Sequence, residues 1–186
     1  VRLKLALAEV VATATNSQTI TLDQRELTAT LNEVLANGDL RRSNLAFVLY
    51  SAADLVKVAT AAGSPERKAL VARWTATLDE IARDESVSTM DRVGTGHAFV
   101  ALAKLGAAHL TGGQTPSEDH AAGTEPALPA SVLAIARERA AWGDRVTTDP
   151  YERQAVINRA GAVLSDAGLD KESSALLMRE LAHSKS

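Results

Sequence analysis

Four histidines, His97, His109, His120 and His183, are the only side chains suited to general base or imidazole-ligand chemistry near neutral pH, and no Cys accompanies them. The lack of Cys removes thiol nucleophiles, thiolate metal sites and disulfides together. A zinc site built from His109, Glu118, Asp119 and His120 would lack the i, i+4 His pair that sets two ligands on one helix face. The surrounding Gly- and Pro-rich stretch supplies no fixed ligand geometry, so this segment reads as a solvated acidic loop. Serines fall at helix starts and in loops, with neither a Gly-x-Ser-x-Gly elbow nor a Ser-x-x-Lys pair. Gly94-Thr95-Gly96 follows no strand and has no Gly-Lys-Ser/Thr ending, so close helix packing explains it better than phosphate binding. Asp84 with Glu85, and Glu118 with Asp119, are sequence neighbours; on a helix such pairs point in different directions. No catalytic residue, metal ligand or cofactor site is therefore assigned.

The aromatic residues leave more to explain. Trp74 falls on an apolar stripe and reads as core, whereas Trp142 and Tyr151 flank a turn crowded with Arg137, Arg139, Asp144, Arg145 and Arg153. Arg and large aromatics dominate interface hot spots, so Arg137, Arg139, Trp142, Arg145, Tyr151 and Arg153 form a candidate protein-binding patch. The competing reading is an ordinary inter-helix turn, with Tyr151 packed on a neighbour and the guanidinium groups in water.

Helices must position these groups. The 186 residues include 35 Ala and 23 Leu but only six aromatics, and the β-branched and turn patterning of a sandwich or barrel is missing. The expected fold is all-α, as antiparallel helical hairpins stacked into a tetratricopeptide-like superhelix or a bundle of about eight helices. A chain of this length buries roughly 70% of its unfolded surface as one domain. Twenty basic and 23 acidic residues give a net charge of −3, which offers no electrostatic footprint for nucleic acid. No stretch approaches the ~20 apolar residues of a membrane span. Arg2 and Lys4 precede an apolar run, but Glu9 interrupts it, so an amphipathic helix through Leu3, Leu7, Val10, Val11 and Ala14 is preferred to a signal peptide.

Start and stop signals divide the rest. A capping box at Thr21 and Gln24 opens a helix carrying Leu27, Leu31, Val34 and Leu35, and Asn37-Gly38 ends it. Asp39 is expected to cap one long helix through Leu45, Val48, Leu49, Ala52, Leu55 and Ala59 to Gly63. Ser64-Pro65 starts the next, with Leu70, Trp74, Leu78 and Ile81 inward. Ser88 and Asp91 open a fifth, and residues 106–129 read as a mobile insertion loop within one domain spanning 1–186. Helices then follow from Val132 to Gly143, from the Asp149-Pro150 cap to Gly168, and from an Asp170 cap through Leu176, Leu177, Met178 and Leu181.

The order of small residues, Leu164, Gly168, Ala175 and Leu181 is similar to one tetratricopeptide hairpin, without a strict repeat through the remainder. Four segments go further: Ser64-Pro65-Glu66-Arg67, the Trp74 to Ile81 stripe, Ser88-Thr89-Met90-Asp91-Arg92, and Thr147-Thr148-Asp149-Pro150-Tyr151-Glu152-Arg153-Gln154-Ala155-Val156. Together they resemble the helical C-terminal region of a bacterial family of thioredoxin-domain proteins. The resemblance covers roughly residues 25 to 186. It implies a non-catalytic interaction domain that accompanies a thiol:disulfide oxidoreductase, holds a partner or substrate protein, and belongs to an exported, periplasmic molecule. The family's Cys-x-x-Cys centre has no counterpart among these residues, and its helical region continues past Ser186, so the resemblance implies a fragment. The alternative is a helical ligand-binding or dimerisation domain, which requires a closed apolar cavity of a few hundred Å³. The apolar Leu176, Leu177, Met178 and Leu181 set suggests a missing neighbour or a partner molecule on the last helix.

Overall fold

The computed structural model describes residues 23–110, 128–145 and 149–183. The expected N-terminal helix, the Thr21 cap and residues 111–127 of the expected insertion lie outside them. Among the described residues there are nine α-helices, one short 3₁₀ turn and no strand, so the fold is all-α. In chain order they are α1 (Gln24–Ala36), α2 (Gly38–Ser43), α3 (Leu45–Tyr50), α4 (Ala52–Ala59), α5 (Pro65–Arg83), α6 (Thr89–Leu110), α7 (Ala130–Ala141), the turn Trp142–Arg145, α8 (Pro150–Asp166) and α9 (Asp170–His183).

Several boundaries follow local rules. Ser64 accepts the Arg67 N–H at 3.1 Å ahead of Pro65, and Asp149 accepts the Tyr151 N–H at 2.9 Å ahead of Pro150. At the start of α6 the Ser88 hydroxyl accepts the Asp91 N–H (3.1 Å) and donates to the Asp91 carboxylate (2.7 Å). Asp23, and not Thr21, caps α1 through the Arg25 N–H. Asn37 caps α2 where Asp39 was expected, taking the N–H groups of Asp39 and Leu40 on one carbonyl oxygen. Asp170 is the first residue of α9.

Two expectations need correcting. The long helix read from Asp39 to Gly63 is three short ones, broken at Asn44 (φ −125°) and Ser51 (φ −115°). Asn44 turns its amide onto the Leu40 carbonyl at 2.7 Å, a local bond that competes with helix continuation. The break leaves last-turn carbonyls of α3 available, and the Trp74 indole N–H takes that of Val48 at 3.0 Å. Gly106, where the loop was expected to begin, lies within α6, which runs to Leu110.

Two cores lie on either side of α6. The first gathers Leu27, Leu31, Leu35, Val48, Leu49, Leu55, Leu70, Trp74 and Leu78, with Ala98, Leu102 and Leu105 from α6. The second gathers Ala136, Ala140, Trp142, Val156, Ala160, Val163 and Leu164, with Val93 and Val100 from α6. Being buried on several sides, α6 carries apolar residues around most of its circumference, with His97 and Lys104 on one partly exposed stripe. Gly96 permits its closest crossing: a Cβ there would lie 2.8 Å from Val163 Cγ1 and 2.9 Å from Arg139 Cβ. Gly94 meets its neighbours at ordinary distances, so the close packing expected of the pair belongs to Gly96 alone.

Buried cations stitch the elements together. Arg67, only 7% exposed, donates to the carbonyls of Lys57 and Thr60 and to the Thr60 hydroxyl, closing the C-terminal end of α4. Arg139, 3% exposed, pairs with Asp79 of α5 and Glu138, and burial pushes its guanidinium pKa down.

Candidate functional site

The C-terminal hairpin places the candidate site. After α8 the chain reverses at Gly168, whose φ of 76° is the left-handed conformation that L side chains resist. The Leu169 N–H returns to Leu164 O (2.9 Å) and the Gly168 N–H to Ser165 O (2.8 Å), satisfying the final carbonyls of α8 in a Schellman motif. Gly161 then lets α9 approach closely, since a Cβ there would lie 3.3 Å from Leu177 Cδ2, and the buried Ser173 hydroxyl donates to the Gly161 carbonyl at 2.8 Å. Helix α9 packs chiefly on α8 and leaves a trough against α7.

That trough is an open groove of about 410 Å³. Its floor is Ala140 and Ala141 of α7, Leu164 of α8, and Ala175 and Leu176 of α9, while Arg137, Glu172 and Arg179 stand at its edge. Small side chains at 140, 141 and 175 keep the floor low; larger residues would fill it. Across the edge, Arg137 grips both carboxylate oxygens of Glu172 at 2.7 to 3.1 Å. This bond holds Glu172 below the ordinary carboxylate range and raises the Arg137 guanidinium. On the same helix, Met178 and Leu181 remain 67% and 50% exposed. Leu176 and Leu177 of the same helix turn inward, Leu176 against the second core and Leu177 against Gly161.

The six residues of the sequence-derived patch are dispersed. Arg137 is at the groove edge. Arg139 and Trp142 come together, but in the interior: the Arg139 guanidinium lies 4.6 Å from the Trp142 ring centroid and Arg92 lies 5.1 Å from it. Arg153 pairs with Glu180, one carboxylate oxygen at 2.7 Å and the other at 2.9 Å, joining α8 to α9. Tyr151 stands free in solvent, 88% exposed. Arg145 ends the 3₁₀ turn, and its side chain lies outside the described residues.

Of the histidines, His97 meets Asp166 of α8 through Nδ1; His120 and the side chains of His109 and His183 lie outside the described residues. Among the described residues no group of three or more metal-ligating side chains converges. The floor alanines escaped the sequence reading because Ala at a helix crossing and Ala lining a groove are spelled alike. The apolar run Leu176, Leu177, Met178 and Leu181 of the last helix was the available signal, and of these Met178 and Leu181 are the exposed ones.

No family model, curated protein or solved structure matches this chain.

Proposed function

We propose that this chain is a non-catalytic, tetratricopeptide-like helical domain that binds a protein partner through the groove between α7 and α9 and the adjoining apolar face of α9. The observation that carries the reading is the exposure of Met178 and Leu181 on a helix that packs chiefly against one neighbour. In a stacked hairpin array the next unit would cover such a face; at an interaction edge a partner segment does. The openness of the trough and its low alanine floor suit an apolar helix or strand laid along it. The competing ligand-binding reading requires an enclosed cavity of a few hundred Å³; the space among Leu31, Leu35, Phe47, Leu55 and Trp74 in the N-terminal core is about 10 Å³, too small for an organic molecule at that place. On the resemblance to the thioredoxin-domain family rests the further part of the proposal: an exported parent whose Cys-x-x-Cys domain acts on the protein held here. The upstream reading frame of the gene tests that part directly.

The groove itself is tested with an array of apolar helical and extended peptides. Wild type should retain a defined subset, and M178E/L181E should lose it by tenfold or more with unchanged helix content. Retention of the same peptides by the variant, or of none by wild type, contradicts the reading. Concentration-dependent dimerisation that M178E/L181E abolishes would favour the dimerisation alternative.

A further inference from the structure

A second concavity, sharing no lining residue with the groove, opens between α3–α4 and α6 and measures about 460 Å³. Its floor is Leu49, Ala52, Ala98 and Leu105, all buried, and the partly exposed Ala53 and Ala101 form low rims on facing helices. Along α6 the lining runs from His97 to Leu105, about 12 Å at 1.5 Å per residue. An apolar floor between low alanine rims, two helical turns long, has the dimensions of a groove for one further helix.

The course of the chain names the occupant. Helix α1 starts beside the C-terminal end of α4, where the Gln24 side-chain amide donates to the Val58 carbonyl at 3.3 Å and the Thr28 hydroxyl to that of Ala59 at 3.0 Å. Lys57, the residue before Val58, lines the cleft. Residues 1–22 are therefore tethered next to the cleft wall. They carry Leu3, Leu7, Val10, Val11 and Ala14, the i, i+4, i+7 spacing with which an amphipathic helix fills an apolar groove. As a helix, Leu3 to Ala14 would extend about 17 Å, enough to cover the floor from end to end. The eight residues 15–22 reach up to about 26 Å, so the tether does not restrict where along the cleft the stripe lies. A link this short keeps the segment at an effective concentration on the order of millimolar, at which weak apolar contacts suffice. The polar residues 111–127, interrupted by Gly112, Gly113, Pro116, Gly123 and Pro126, carry no such stripe.

We infer that residues 3–14 of this chain dock as an amphipathic helix in the cleft between α3–α4 and α6, with the Leu7–Val10 centre of the stripe over its floor. The docked segment covers the apolar surface of the N-terminal half and leaves the trough between α7 and α9 as the open one. The inference is independent of the protein-binding groove, because the walls are different helices.

A nitroxide tests it, attached through D54C at an exposed position of the cleft in a chain that has no other thiol, and read as amide broadening in the ¹⁵N-labelled 186-residue protein. Amides of residues 3–14 should be broadened. L7E/V10E, which makes the stripe polar, should reduce that broadening at least fivefold with the helix content of the remainder retained. A101L, which fills the cleft from the opposite side of the contact, should do the same. A mixture of nitroxide-bearing protein without ¹⁵N and ¹⁵N protein without nitroxide should show no broadening, because the contact is within one molecule. Absence of broadening at residues 3–14, its persistence in either variant, or its appearance in the mixture, which would make the occupant a second copy, would each overturn the inference.

Discussion

The two cores that share α6 solve the same packing problem with different residues. The N-terminal one is filled with large side chains, Trp74, Leu49, Leu70 and Leu78 among the least exposed, and the space among Leu31, Leu35, Phe47, Leu55 and Trp74 is only about 10 Å³. The C-terminal one is spaced by Ala136, Ala140, Ala160, Gly96 and Gly161, which bring helices close but run out of bulk at the outer edge. At that outer edge the small-residue crossings leave the trough against α9. The candidate binding surface falls at the second kind of packing.

The comparison can be broken most severely at Trp74. W74A should cost about 3–5 kcal/mol, the usual penalty for emptying a buried aromatic, read as a lower urea midpoint. Next comes G96A, which drives a methyl into Val163 and Arg139 and should cost about 1–3 kcal/mol by overpacking. S173A removes the buried bond to the Gly161 carbonyl and should cost about 1 kcal/mol, loosening α9 selectively in amide exchange. Acid should act on the same helix. Glu172 is held below its ordinary value by Arg137, so the pair's contribution is complete above the ordinary glutamate range and is lost as pH falls through the lowered one. Amide protection in α9 should therefore decline on acidification, and E172Q should blunt the pH dependence of that decline. The smallest effect on stability is expected from M178E/L181E, within about 0.5 kcal/mol, because both are surface positions at least half exposed.

What the sequence disclosed was local. The Ser64-Pro65 and Asp149-Pro150 starts and the Gly168 reversal are legible because cap, first turn and left-handed glycine are encoded within a few residues. The breaks at Asn44 and Ser51 were not, since the apolar spacing from Leu45 to Ala59 continues through them and the fragmentation is settled by an Asn side-chain bond and by Trp74, 26 residues beyond Val48. The arginine corner misled for the same reason. Arg139 looks exposed until Asp79, 60 positions earlier, and the Trp142 ring take it inside. The His97–Asp166 pair spans 69 positions and leaves no motif.

The most direct test of the central claim, that the alanine-floored edge beside α9 is where a partner docks, is backbone amide mapping during titration with a peptide retained by the array. Shifts clustered on Ala140, Ala141, Ala175, Leu176 and Met178, and absent from α3 and α4, are the predicted result. Binding that leaves those five amides unmoved would contradict it.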